Sequence, residues 1–222
     1  AEKGPFINGI FENGISAGSV RNGDGFTKPG KATQIATWAN YSLAKSLIFG
    51  KLGDVFGGEL EFMVGGGALL DVKQQQFYKA IGTPIFQGYG LTEAAPIICS
   101  NTPHRHKLGT SGSVLPSIEC KIMRDDSNIA DLNEIGEIVI RGENVMKGYY
   151  KNEEASALAL RDGWLWTGDL GYYDSDEFLV VTGRNKALLI SDDGEKYSPE
   201  GIEEAIVNCS DIFTHVMLYN DH

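Results

Sequence analysis

The chain has 222 residues, of which 42% are hydrophobic and 22% charged, and it has no apolar run long enough to cross a membrane. Its formal net charge of −11 argues against nucleic acid as a partner, because phosphate binding requires a basic surface. The three cysteines, which show no CxxC spacing, argue against a disulfide framework and a zinc site. We expect a cytoplasmic protein, with peripheral membrane association as the alternative.

Helical spacing is the first clear signal along the chain. Residues 1–30 mix apolar and small side chains and end in a loop-like, glycine-rich stretch. Apolar residues then recur at helical spacing over 33–56, and Gly57-Gly58 stops the pattern. The sequence therefore predicts one long helix between two loops.

A strand–helix–strand unit follows this helix. Residues 60–64 form an apolar strand candidate that the glycine triplet 65–67 closes. Residues 72–81 favour a helix with Asp71 as its N-cap, and the next strand begins at Ile85. This order predicts a parallel βαβ unit, in which ligands bind at the carboxyl ends of the strands.

The pattern changes beyond about residue 109. Short alternating segments at 118–123, 136–141 and 178–182 are separated by Asp, Asn and Gly, which predicts an antiparallel sheet or a small barrel. Residues 199–208 then indicate a new helix whose first residue is a proline.

The stretch FQGYGLTE, residues 86–93, ends the second predicted strand and offers several groups that could bind a ligand. Its glycines allow a sharp turn and a close approach of backbone to a ligand. Tyr89 provides a flat ring, Thr92 a hydroxyl, and Glu93 a carboxylate suited to a hard cation such as Mg²⁺. Taken alone, the stretch also fits a glycine-rich turn with a core tyrosine and a solvated Thr-Glu pair.

Further motifs decide between these interpretations. They are GGGA at 65–68, YGLTE at 89–93, TGD at 167–169, TGRNK at 182–186 and GEKYSPEGIE at 194–203. In this order the set resembles the adenylate-forming, or AMP-binding, superfamily and is most similar to its long-chain fatty acid–CoA ligase branch. The resemblance implies an α/β fold that comprises part of a large N-terminal domain, with a parallel βαβ portion and a small antiparallel barrel-like subdomain, and then the start of a small C-terminal domain.

The resemblance also implies domain boundaries. Residues 1–185 correspond to the C-terminal portion of the large nucleotide-binding domain, with the βαβ part to about 108 and the antiparallel part over 109–185. Residues 186–222 correspond to the hinge and the beginning of the small domain. The family's Ser/Thr/Gly-rich phosphate loop and its C-terminal lysine have no counterpart here. We therefore expect an internal fragment that is inactive alone.

The resemblance assigns nucleotide binding to residues whose chemistry suits the role. The Tyr89 ring would stack on adenine, a contact of about 1–3 kcal/mol per base. Asp169 would accept hydrogen bonds from the ribose hydroxyls, and Arg184 would lie near ribose and phosphate. Without the resemblance, a turn and a surface salt bridge are the simpler interpretations of these two residues. The full set is Gly66, Gly67, Ala68, Gly88, Tyr89, Gly90, Thr92, Asp169 and Arg184.

Catalytic roles fall on Thr92, near the α-phosphate, and on Glu93, which would hold Mg²⁺ and so help to neutralise the phosphates. Lys186 matches the family's interdomain hinge, although Ala187 replaces the acidic residue that usually follows it in this branch. Gly194 matches the backbone element beside the pantetheine of coenzyme A.

The implied function is that of an ATP-dependent long-chain fatty acid–CoA ligase, with ATP or AMP, Mg²⁺ and coenzyme A as cofactors or co-substrates. The implied partners are the fatty acid, ATP and CoA, and the oligomeric state stays open. One alternative is an adenylating enzyme for an aryl, amino or short-chain acid. Another is a non-catalytic module that binds adenine nucleotides.

Outside the motifs, His104 and His106 favour a loop over a metal site, and Trp164 and Trp166 favour packing on one face of a strand.

Overall fold

The structure, a computed structural model, describes residues 4–185, 189–190, 196–197, 199–209 and 212–219. It has the predicted α/β fold, with a parallel strand–helix–strand portion and a separate antiparallel sheet. The chain divides into two compact units. The first extends to Gly90 and takes in Ile97–Ser113, and the second comprises Leu91–Pro96 and the residues from Val114 onward.

Helices form the beginning of the first unit. They are α1 (Pro5–Asn22), α2 (Lys31–Ala44) and α3 (Gly50–Val55), with a π-helical turn at Lys45–Phe49 between α2 and α3. The predicted helix over 33–56 is confirmed as the continuous stretch from α2 to α3, and positive φ angles at Gly57 and Gly58 follow its end. The buried cluster of this unit is Ala44, Ile48, Phe49 and Ile81.

The sequence pattern does not predict α1, because its three internal glycines lower its helix propensity. Its buried residues are Gly14, Ala17 and Gly18. A Cβ atom at Gly14 would collide with the side chain of Ala44, and one at Gly18 would lie 2.7 Å from the Cβ of Ala80. Close packing through the glycine face therefore stabilises a helix that propensity alone disfavours.

The predicted parallel unit is present. It consists of β1 (Met63–Gly65), α4 (Val72–Ile81) and β2 (Ile85–Gly90), and Asp71 caps α4 by accepting two backbone N–H bonds. β1 is shorter than predicted and begins only at Met63. β3 (Ile97–Ser100) pairs antiparallel with β2, and the sheet order is β1-β2-β3-β4, where β4 is Ser113–Val114. Both glycine-rich motifs therefore lie at carboxyl ends of parallel strands, as predicted.

An antiparallel sheet dominates the second unit. Its strands are β5 (Ile118–Met123), β6 (Gly136–Gly142), β7 (Leu160–Arg161), β8 (Trp164–Tyr173) and β9 (Leu179–Arg184), and α5 (Glu153–Ala159) precedes β7. β8 pairs with β6, β7 and β9. The alternating segments predicted an antiparallel sheet, and this prediction is confirmed. Buried apolar side chains hold the sheet together: Ile118, Ile122, Ile138, Val139, Ile140, Leu165, Phe178, Leu179 and Val180.

The two tryptophans of β8 pack against cationic side chains. The ring of Trp164 lies 4.2 Å from the Lys121 ammonium and 4.7 Å from the Arg141 guanidinium, and the ring of Trp166 lies 4.5 Å from that of Arg161. Both tryptophans are partly buried. Their role in packing, as the sequence suggested, fits these contacts.

The last described elements are β10 (Leu189–Ile190), β11 (Lys196–Tyr197) and α6 (Pro199–Asn208), the helix that the sequence predicted over the same residues. Lys186 and Gly194, with their predicted hinge and coenzyme A roles, lie outside the described residues. The predicted division at 185/186 stays a prediction. No helix in the described part of the chain is both long and apolar enough to span a membrane.

Candidate nucleotide-binding site

The glycine triplet continues from β1 as an exposed loop, and its glycines differ in what surrounds them. Gly67 has φ +90°, a conformation that favours glycine. Gly66 has no such constraint, and a Cβ added there would meet only the carbonyl oxygen of Gly88, at 3.7 Å. Gly66, Gly67 and Ala68 are all exposed. Protein packing therefore does not require a glycine at position 66, and the open space above it can accept a flat ligand.

Gln87, on the neighbouring strand β2, supports this loop. It is buried, with 3% of its surface exposed, and its Oε1 accepts a hydrogen bond from the Leu70 N–H at 3.4 Å. Its amide also fills the space next to Gly65, where a Cβ would collide with it. A single polar side chain from β2 thus fixes both the beginning and the end of the loop.

The end of β2 carries Tyr89 and Gly90 beside β3. A Cβ at Gly88 would lie 3.1 Å from the Cys99 carbonyl oxygen, so this glycine permits close pairing of the strands. The register shifts between Tyr89 and Gly90, which pair with Cys99 and Ile97. A bulge of this kind bends the strand and turns its last side chains relative to the sheet.

Asn101 holds β2 from the other side. Its side chain is buried and donates from Nδ2 to the carbonyl oxygens of Gln87 at 3.2 Å and Thr110 at 2.8 Å. Its Oδ1 accepts from the Lys107 N–H at 2.9 Å. A buried amide with its hydrogen bonds made in this way rigidifies the strand that carries Tyr89.

In the second unit, Glu93 lies in a 3-10 turn, Thr92–Ala94, whose position the loop after β6 helps to fix. Met146 N–H donates to the Glu93 carbonyl at 2.8 Å, and Asn144 Nδ2 donates to the Ala94 carbonyl at 2.6 Å. The Tyr149 hydroxyl donates to Glu93 Oε1 at 3.0 Å. Partial burial and the Glu93 carboxylate raise the pKa of Tyr149, so its hydroxyl stays protonated as the donor. Thr92 is exposed.

Asp169 and Arg184 are direct partners across β8 and β9. Arg184 Nε lies 3.2 Å from Asp169 Oδ1, and 7% of the aspartate side chain is exposed against 72% of that of the arginine. Gly168 has φ +73°, and its N–H donates to Glu137 Oε1 at 3.0 Å. The TGD segment, which lies within β8 and not in a turn, thus carries a buried carboxylate whose charge an exposed guanidinium balances.

An open cavity of about 550 Å³ adjoins the same strands of the second unit. Its lining includes Glu137, Trp166, Leu170 and Thr182. Glu137 therefore both accepts the bond from Gly168 and faces this cavity, which is large enough for part of a ligand.

The donor set fits a magnesium ion that arrives with a nucleotide. Among the described residues, no three His, Cys, Asp or Glu side chains lie close enough to hold a metal by themselves. Mg²⁺ is commonly bound by one or two carboxylates together with phosphate oxygens and waters. Glu93 provides one such carboxylate, and Oε2 is the oxygen that does not accept the bond from Tyr149.

The predicted residues fall into two sets. The stretches 66–68 and 88–90 belong to the first unit, where Gly66 neighbours Gly88, and the others belong to the second, where Asp169 meets Arg184. Sequence reasoning did not identify Gln87, Asn101 and Tyr149 as supporting residues. Gln87 could have been noticed as a polar residue within an apolar strand. Asn101 and Tyr149 give no such signal, because their partners are distant in sequence.

Comparison with known proteins agrees with the motifs. The family model described as AMP-binding enzyme matches residues 27–150. The long-chain-fatty-acid–CoA ligase FadD15 of Mycobacterium bovis is 34% identical over 168 residues, which cover 76% of this chain and 26% of that protein. The 2-succinylbenzoate–CoA ligase of Geobacillus kaustophilus is 42% identical over 136 residues, 60% of this chain and 27% of that protein.

A solved structure shows the same fold. It is O-succinylbenzoate coenzyme A synthetase (MenE) from Bacillus subtilis in complex with ATP and magnesium ion, with a TM-score of 0.62 and 33% identity. The match covers 72% of this chain and 35% of that one. The chain spans about a quarter of the length of the curated relatives it matches. The motifs, the fold and the matched residues lead to one conclusion: this chain belongs to the AMP-binding enzyme family.

Proposed function

We propose that this chain supplies the adenosine and metal contacts of an ATP-dependent acid–CoA ligase. The observation that carries the proposal is the open backbone at Gly66 and Gly67, next to the strand that carries Tyr89. Support also comes from relatives that are named as acid–CoA ligases and from one that was solved with ATP and magnesium.

Each residue has a role that follows from its chemistry. The Tyr89 ring stacks on adenine against the backbone of 66–68, and the Asp169 carboxylate accepts from the ribose hydroxyls. Arg184 offsets phosphate charge, and the Thr92 hydroxyl donates to the α-phosphate. Glu93 holds Mg²⁺, which neutralises charge on the phosphate oxygens when it is bound.

The proposed reaction has two steps. A carboxylate oxygen of the acid attacks the α-phosphorus of ATP, the bond to the bridging oxygen breaks, and pyrophosphate leaves. The sulfur of coenzyme A then attacks the acyl carbon, its proton is lost, and AMP leaves with the electron pair of the mixed anhydride. We assign the hinge between these steps to Lys186 and the coenzyme A contact to Gly194.

We propose a long-chain fatty acid as the substrate. The similarity to the fatty-acid ligase FadD15 extends over 76% of the chain, whereas the similarity to the 2-succinylbenzoate ligase extends over 60% at higher identity. The second similarity favours an aromatic acid as the alternative. Pyrophosphate release with fatty acids of increasing length and with 2-succinylbenzoate, measured on the protein that contains this segment, separates the two. Release with 2-succinylbenzoate alone would reject the fatty-acid assignment.

A non-catalytic module is the second candidate, because the same residues would bind an adenine nucleotide without any reaction. The two candidates differ in one measurement. A ligase releases pyrophosphate from ATP only when its acid is present, whereas a module binds ATP and releases none with any acid. Replacing Glu93 by Gln removes the acid-dependent release if the ligase proposal holds.

A further inference from the structure

The loop between β6 and α5 contacts the turn that carries Glu93 in more than one way. Two of its hydrogen bonds, from Met146 and Asn144, hold the backbone of the turn. The third, from the Tyr149 hydroxyl, reaches the Glu93 side chain itself at 3.0 Å. Backbone bonds place the turn, but only the third bond restricts where the carboxylate points.

Tyr149 is in turn held by the first residues of α5. Its N–H donates to Ser156 Oγ at 2.8 Å, and that hydroxyl donates to the Asn152 carbonyl at 2.7 Å. The Asn152 side chain caps the helix by accepting from the Ala155 N–H at 3.1 Å. These bonds fix the backbone of Tyr149, and a side chain on a fixed backbone can orient its partner better than one on an unsupported loop.

We infer that Tyr149 is a positioning residue that aims one oxygen of the Glu93 carboxylate at the metal of the bound nucleotide. A carboxylate has two oxygens, and the hydroxyl engages Oε1. Oε2 is then directed to the cation, and the side chain loses little rotamer freedom when the metal binds. The inference rests on the proposed function, because it requires that Glu93 holds Mg²⁺.

The test compares Tyr149→Phe with Tyr150→Phe on the 222-residue chain. Tyr150 is the adjacent tyrosine, 88% exposed, so its variant loses a hydroxyl that does not support Glu93. The affinity for ATP is measured by calorimetry with excess Mg²⁺ and with a chelator, and the ratio of the two constants gives the gain due to the metal. AMP binding without metal serves as a readout of the adenosine contacts.

We expect Tyr149→Phe to reduce the metal-dependent gain about tenfold, the lower end of the effect typical of groups that orient metal ligands. Its AMP affinity and its unfolding temperature should match those of Tyr150→Phe. If Tyr149→Phe retains the full wild-type gain in ATP affinity from Mg²⁺, this inference is overturned, whereas the proposed metal site is not. A wild-type chain that gains no ATP affinity from Mg²⁺ would overturn the proposed metal site and this inference together.

Discussion

At the scale of single residues, two glycines of the first unit have opposite reasons to be glycine. A Cβ at Gly66 would meet one backbone oxygen at ordinary contact distance, 3.7 Å, whereas a Cβ at Gly88 would press on the Cys99 carbonyl at 3.1 Å. Protein packing disfavours a side chain at position 88, and it does not at position 66. We infer that position 66 is left open for a ligand.

Gly66→Ala tests this conclusion. We expect AMP affinity to fall about tenfold, within the ~1–3 kcal/mol typical of a lost base-stacking contact, because the methyl group occupies the space for the adenine ring. Stability should change by no more than about 0.5 kcal/mol. Calorimetry and urea unfolding measure the two effects. Gly88→Ala is the control and should lose stability instead, and equal AMP affinity in Gly66→Ala and wild type would rule out the cradle.

His106 makes stability depend on pH. Its ring packs edge-on against Phe86, and its Nε2 lies 3.0 Å from Lys79 Nζ. Burial and, next, the charge of Lys79 lower the pKa of His106, and a backbone hydrogen bond with Thr102 and the charge of Asp24 partly oppose this shift. The unfolded chain, with a histidine pKa of about 6.5, therefore binds a proton more readily than the folded chain does. Stability is fully present above about pH 6.5 and falls as the pH drops toward the lowered pKa.

His106→Phe keeps a ring at this position and removes the titration. We expect its urea midpoint to change less between pH 7.5 and pH 5.5 than that of wild type, with a difference bounded by the slope for one proton, about 1.4 kcal/mol per pH unit. His104→Phe, at an exposed position of the same loop, is the matched control. The same pH dependence in His106→Phe and wild type would contradict this assignment.

The limits of sequence reasoning are visible at single residues. Tyr89, Glu93, Asp169 and Arg184 could be selected because their motifs have a fixed order along the chain. Tyr149 lies 56 positions from its partner Glu93, and no local pattern reports a contact of that range. The supporting residues of a site depend on tertiary folding, so only the structure shows them.

At the scale of elements, α4 and α6 agree with the sequence in both bounds, because a capping aspartate marks the beginning of one and a proline that of the other. The sequence pattern did not predict α1, because glycines lie on the face through which this helix packs. Its stability comes from contacts with α2 and α4, which are tertiary and leave no periodic signal. Propensity alone therefore does not predict a helix that packs through its glycines.

Alanine substitutions along α1 separate propensity from packing. Gly9→Ala should stabilise the chain by up to about 1 kcal/mol, because a Cβ there meets nothing within 4 Å and alanine favours the helix. Gly14→Ala should destabilise it by about 1–3 kcal/mol, since its Cβ collides with Ala44. Urea unfolding of both variants measures the difference. Stabilisation by both substitutions would show that α1 does not pack through its glycines.

At the scale of the whole molecule, the net charge of −11 has the same sign as the nucleotide that we propose the chain binds. Bulk electrostatics oppose that binding, so local groups have to provide it. The described candidates are the open glycine loop, the Tyr89 ring, the Glu93 carboxylate with its metal, and the Asp169–Arg184 pair. The family assignment and these groups lead to the same proposal, that the chain binds adenosine nucleotides.

Calorimetric titration with AMP tests this proposal most directly. The variants are Tyr89→Ala and Asp169→Ala, and the controls are Tyr150→Ala and Asp131→Ala, at exposed positions. We predict that the wild-type chain binds AMP. Each site variant should weaken binding at least about tenfold, because Tyr89→Ala loses a base stack and Asp169→Ala loses ribose hydrogen bonds. The controls should bind AMP as the wild type does. A folded wild-type chain that binds no AMP, or site variants that bind as tightly as the controls, would contradict the account.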